Sequence, residues 1–162
     1  MERREVLGFL TAAAGSALLP ATVAAVDEQT SAPGQLPTEN VTGIGGVFVR
    51  ARDPKTLAKW YQDHLGVFVT PQSVGDPAWN QQAGPTSFTP FPETTSYFGD
   101  STKQWMINFR VGDLDKMVQQ LEAAAITVKV DPTTYPNVGR FARLHDPEGN
   151  PIELWQPMKA AR

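Results

Sequence analysis

The chain has 162 residues, of which 41% are hydrophobic and only 19% charged, enough apolar material for the core of one domain. Its 17 acidic and 14 basic residues give a formal net charge of -3, which leaves no excess of Lys and Arg to neutralise a phosphate backbone and argues against nucleic-acid binding. With no Cys and 2 His, a disulfide framework, a thiolate nucleophile, a structural zinc knuckle and an iron-sulfur site are excluded, and a transition-metal site would have to lean on carboxylates.

Residues 1–25 have the order of parts of an export signal: the pair Arg3-Arg4, a mildly apolar run from Val6 to Leu19, the helix breaker Pro20, and small residues up to Ala25. The arginine pair followed by Val6 and Leu7 resembles a twin-arginine signal, although Glu2, Val6 and Gly8 depart from its usual residues. The expected destination is the periplasm. The alternative is an N-terminal membrane anchor, but Ala13 to Ser16 make the run weakly apolar for a permanent span of about 20 residues. No stable membrane span is expected once the signal is removed. Residues 26–40 are polar and without period, a disordered linker, and precede a domain at 41–157 and a tail at 158–162.

From Val41 onward the sequence echoes itself. Setting Asp53 against Asp113 brings Val47, Val49 and Ala51 onto Ile107, Phe109 and Val111, and Leu57 onto Met117. Alternation predicts a strand ending at Ala51, with Gly46, Phe48 and Arg50 on its other face, and a second ending at Val111, with Met106, Asn108 and Arg110 on its other face. Asp53 with Pro54, and Asp113 with Leu114, are helix starts. Leu57, Trp60, Tyr61, His64 and Leu65 form the buried stripe of the first helix, which Gly66 ends, and Leu114, Met117, Val118 and Leu121 form that of the second. Short strands are expected at 67–71, 78–81 and 86–91 after the first helix. After the second they are expected at 126–130, 140–144 and 151–156, the last two joined by the turn HDPEGN. The predicted fold class is α+β, two βαβββ units forming a curled, cup-like mixed sheet with helices on its convex face.

Two such units, with DPKTLAKWYQDHLGV after the first strand and DPEGNPIELWQP at the end, resemble the vicinal oxygen chelate superfamily, the fold of glyoxalase I, bleomycin resistance proteins and extradiol dioxygenases. The resemblance covers about residues 42–157. It implies a cup in which a divalent metal binds vicinal oxygens of a substrate as a Lewis acid. It also implies metal ligands on the first and last strand of each unit. Those positions fall here on Gly46 and Met106, on the Phe88-Thr89 region, and on Glu153, and only Glu153 is a suitable donor. A divalent metal cofactor is therefore not supported at Gly46 and Met106, and Glu153 stands as a lone candidate ligand. His64 is expected to pack at a helix end, while His145, before the last turn, is with Glu153 a weak catalytic candidate.

Strand parity makes Phe48, Arg50, Met106, Asn108, Arg110 and Trp155 the ligand-binding lining of the cup, together with Glu153. Such a lining suits a small organic molecule with a flat or apolar body and an anionic or carbonyl edge held by Asn108 and Arg110. The stretch from Gln72 to Lys103, carrying Trp79, Phe91, Tyr97 and Phe98, is expected to act as a lid over the cup or as an arm in a homodimer. The expected function is binding of a small-molecule ligand without the usual metal. The alternatives are a metal-dependent glyoxalase-like lyase or dioxygenase using Glu153, and a periplasmic interaction module.

Overall fold

The computed structural model describes residues 39, 41–76 and 78–158. The expected export signal, most of the linker and most of the tail lie outside the described residues. The chain separates into two compact units, residues 2–49 and residues 50–162. In the first, residues 41–49 contain no helix or strand.

The second unit holds both helices, α1 (Pro54–Leu65) and α2 (Leu114–Ala123). It also holds the strands β1 (Ile107–Arg110), β2 (Lys129–Val130), β3 (Gly139–His145) and β4 (Pro151–Pro157). Each helix starts as its sequence dictates. The Asp53 side chain accepts the Thr56 N–H at 3.1 Å ahead of Pro54, and Asp113 accepts the Lys116 N–H at 3.0 Å. Gly66 closes α1 in the left-handed region at φ 67°. The first N–H of α2 is satisfied by a strand residue, Gln156, whose Oε1 accepts from Leu114 N at 2.7 Å.

The strands form one mixed, curled sheet in the order β1-β4-β3-β2, with β1 parallel to β4 and the other pairs antiparallel. The register pairs Ala142 with Leu154 and Leu144 with Ile152, and these four side chains form the helix-facing layer. They bury completely, or nearly so, with Val111, Leu114 and Leu121, and Trp60, Tyr61 and Leu65 of α1 pack against the same cluster. The fold class is thus α+β, with the helices on one face of a curled sheet. Among the described residues no helix is long and apolar enough to cross a membrane.

The second predicted βαβββ unit is complete, at 107–110, 129–130, 139–145 and 151–157 around α2. The first contributes its helix only. No strand is present at the segments expected near 46–51, 67–71, 78–81 and 86–91. Their apolar residues stay exposed: Val47 at 50%, Val69 at 52% and Phe88 at 92%. Alternation marks a chain able to pair, but a strand exists only when its N–H and C=O groups meet a ladder. Pro90 also removes a donor from the last of these segments.

The HDPEGN turn ties the sheet to α1. Glu148 accepts the backbone N–H of Arg52 at 2.9 Å on both oxygens and that of Asp53 at 3.0 Å. These bonds, that from Asp53 first, hold its carboxyl below the ordinary glutamate value of 4.5. A depressed carboxylate stabilises the fold above its unfolded pKa, and the gain is lost as pH falls through the folded value. Glu148→Gln is therefore expected to lower the melting temperature at pH 7, and its gap from wild type to close below pH 4.5; thermal melts across pH 3 to 7 check this.

Candidate functional site

The sheet face away from the helices is set by register. Arg110, Trp155 and Phe141 lie in one row across β1, β4 and β3, and Asn108, Glu153 and Arg143 in the next. His145 pairs with Pro151 beyond them and is exposed. The rows are spaced by about 7 Å, the repeat of two strand residues.

Glu153 is the centre of this face and only 4% exposed. Its Oε1 accepts the Tyr97 hydroxyl at 3.0 Å and Arg143 Nε at 3.4 Å, and its Oε2 accepts Asn108 Nδ2 at 2.7 Å. Arg143 is fixed in turn: Nη1 donates to the Tyr97 carbonyl at 3.0 Å, and the guanidinium lies 4.0 Å over the Tyr97 ring. Tyr97 stacks on Phe91 at 4.8 Å, with Phe98 edge-on to Phe91 at 5.2 Å. The irregular 91–98 segment is thereby pinned to the sheet through one tyrosine.

The next row is aromatic. Phe141 and Trp155 lie parallel at 6.2 Å and 7°, and Tyr135 meets Phe141 edge-on at 5.8 Å. The indole N–H donates to the Val138 carbonyl at 3.0 Å, which fixes its plane. Arg110, beside Trp155, donates from Nη2 to the Gln82 carbonyl at 2.6 Å.

Of the residues expected to line the cup, Asn108, Arg110, Trp155 and Glu153 share one face. Met106 is half-buried just outside β1, and Arg50 is exposed and outside any strand. Phe48 belongs to the unit at 2–49 and is 93% exposed, its ring against Gly46. His64 packs beside Trp60 at 5.4 Å in the last turn of α1. Arg143 and Phe141 were legible from the parity of β3, whereas Tyr97, expected only as an aromatic of a lid or arm, lies in a segment without period that does not indicate its partner.

The sequence profile described as "Glyoxalase-like domain" matches residues 46–155, both halves of the internal repeat. The chain belongs to this glyoxalase-like family of the vicinal oxygen chelate superfamily. Among solved structures, a glyoxalase/bleomycin resistance protein from Streptomyces sp. CB03234 is 31% identical over 33% of this chain, with a TM-score of 0.29. The match spans 46% of that protein, less than half its length. TnmS3, an antibiotic binding protein from Streptomyces sp. CB03234, is 24% identical over 65% of this chain and 88% of its own, with a TM-score of 0.40. A glyoxylase/bleomycin resistance protein/dioxygenase domain from Frankia sp. EAN1pec is 18% identical over 74% of this chain and 100% of its own, with a TM-score of 0.46. No curated protein matches the chain.

The superfamily's enzymes place a divalent metal in the cup, so the donor set of this glyoxalase-like domain has to be tested against one. Glu153 already accepts from three side chains, one of them the cationic Arg143. A metal there would have to displace a phenol and an amide and stand next to a guanidinium. Its lateral neighbours, Asn108 and Arg143, supply neither a carboxylate nor an imidazole. Among the described residues no three His, Cys, Asp or Glu converge as a metal site. Among the described residues, the surroundings of Glu153 therefore supply no second carboxylate or imidazole donor.

Proposed function

We propose that this glyoxalase-like domain binds a small organic molecule on the concave face of its sheet without a divalent metal. The observation that carries the reading is the engagement of Glu153. The one carboxylate at a ligand position of the family is spent on Tyr97, Asn108 and Arg143, and works as a structural acceptor. What the face then offers is a fixed aromatic surface with guanidinium groups around it, the chemistry of a binding site for a small ligand. The reading assigns binding, not turnover. Arg3-Arg4 and the apolar run to Leu19 support export to the periplasm, and the family's habit of pairing domains supports a homodimer.

Native mass spectrometry on the protein prepared from its exporting host is expected to show an organic adduct that organic solvent removes and that Trp155→Leu no longer retains. A protein carrying one equivalent of zinc, manganese, nickel or iron, and catalysing a reaction that a chelator abolishes, would overturn the reading.

A further inference from the structure

The two rows of the concave face differ in how their charge is balanced. In the Glu153 row the carboxylate and the Arg143 guanidinium offset one another. In the Trp155 row, Arg110 has no carboxylate partner among the described residues, and its one hydrogen bond there goes to the Gln82 carbonyl. Arg110, the register partner of Trp155, is thus among the described residues a cation without a carboxylate partner.

The occupant of that cation is a backbone oxygen from an irregular, exposed segment. A neutral carbonyl is a weaker partner for a guanidinium than a carboxylate, which engages two N–H groups in parallel and brings opposite charge. Gly84 lies against the same guanidinium so closely that a Cβ there would collide with it. The 82–84 segment thus covers Arg110 through a neutral oxygen, which an anion would have to displace.

The aromatic neighbours decide the shape of the ligand. The indole plane of Trp155 is fixed by its bond to Val138 and by its parallel neighbour Phe141. Gly139, at φ 138°, allows this approach, since a Cβ there would stand 2.9 Å from the indole nitrogen. A rigid flat surface of this kind gains most from another flat ring, which stacks with little loss of conformational freedom, and least from a flexible aliphatic chain.

Resting on the reading of the concave face as a ligand site, we propose that its ligand is a planar aromatic monoanion. The ring stacks on Trp155, and the anionic group replaces the Gln82 carbonyl on Arg110. The anionic group is assigned to Arg110, while Asn108 is bonded to Glu153 through Nδ2.

Four probes separate charge from shape in a calorimetric titration of the intact protein: 2-naphthoate, 2-naphthylmethanol, 2-naphthylmethylammonium and cyclohexanecarboxylate. The naphthoate is expected to bind at least about tenfold more tightly than each of the others, roughly what one charge-assisted hydrogen bond supplies. Arg110→Gln is expected to bring naphthoate down to the level of the alcohol while leaving the alcohol unchanged, and Arg110→Lys to restore part of the preference. Arg110 is half-exposed and outside the buried core, and the wild-type probe series stands on its own if a variant folds poorly. Equal binding of naphthoate and alcohol, or a preference that survives Arg110→Gln, overturns the proposal and leaves the ligand site itself standing. Failure of all four probes overturns the proposal and counts against the site as well.

Discussion

Replacing Glu153 by Ala is expected to cost about 1–3 kcal/mol of stability, the cost of leaving hydrogen-bond donors unpaired, because the Arg143 side chain keeps 35% exposure and can recover some hydration. The carboxylate is 4% exposed and accepts from three side chains. Its loss takes this acceptor from the half-buried Arg143 guanidinium and Tyr97 hydroxyl, while the exposed Asn108 amide can turn to water. Urea unfolding followed by tryptophan fluorescence measures the change. Glu153→Gln keeps the shape and one good acceptor, so it should cost less than half as much. The loss should extend to the 91–98 segment, because Tyr97 is held at the sheet by Glu153 and Arg143. Faster proteolysis near Phe98 is the local sign. A loss below about 1 kcal/mol for Glu153→Ala, the level of an ordinary exposed pair, would show that the carboxylate is not the centre of this network.

The second large effect is expected at Asp146, which is 5% exposed at the start of the β3–β4 turn. Its Oδ1 accepts the backbone N–H of Glu148 at 2.8 Å and of Asn150 at 2.9 Å, and its Oδ2 accepts Asn150 Nδ2 at 2.8 Å and the Tyr61 hydroxyl at 3.0 Å. One side chain therefore shapes the turn and fastens it to α1. Asp146→Ala strands four donors and is expected to cost about 3 kcal/mol or more, since each buried donor left unpaired costs about 1–3 kcal/mol before the turn relaxes. Burial, and then the Asp146 charge, push the Tyr61 hydroxyl above its ordinary value of 10.0. A group whose folded pKa is raised stabilises the fold below the unfolded pKa and loses that contribution as pH climbs past it. Wild-type stability should therefore fall above pH 10.0, and Tyr61→Phe should flatten that fall. Equal stability of Asp146→Ala and wild type in denaturant titrations would contradict this account of the turn.

Both residues sit where the sequence was most informative. In the second unit the alternation, the capping aspartates and the HDPEGN turn agree with one another, and all its elements form within a few residues of their expected places. The same alternation put Asn108, Arg110, Glu153 and Trp155 on one face, and the register of β1 with β4 has them there. It also carried Phe141, Arg143 and His145, because Ala142 and Leu144 between them are the apolar, helix-facing set. The limit of parity was partnership. It places Asn108 on the concave face but does not say that its Nδ2 donates to Glu153.

The first unit shows the other limit. Gly46 to Ala51 and Ser87 to Phe91 have side chains fit for strands, yet their pairing depends on partners distant in sequence that no local pattern specifies. Helix α1, whose hydrogen bonds are internal and whose ends are set by Asp53, Pro54 and Gly66, needs no such partner and was legible. Tyr97 was expected only as one of four aromatics of a lid or arm, and its bond to Glu153 was not legible for a related reason. Its role comes from one long-range bond made by a residue in a segment without period, and composition alone cannot distinguish it from Phe91 or Phe98.

Glu153 is proposed to serve the protein's own side chains and not a metal. Calorimetric titration of the chelator-treated protein with zinc, manganese and nickel ions, in parallel with Glu153→Gln, tests it most directly. No stoichiometric tight binding to the wild type is expected, and no difference between the two proteins. One equivalent bound tightly by the wild type and lost in Glu153→Gln would contradict it.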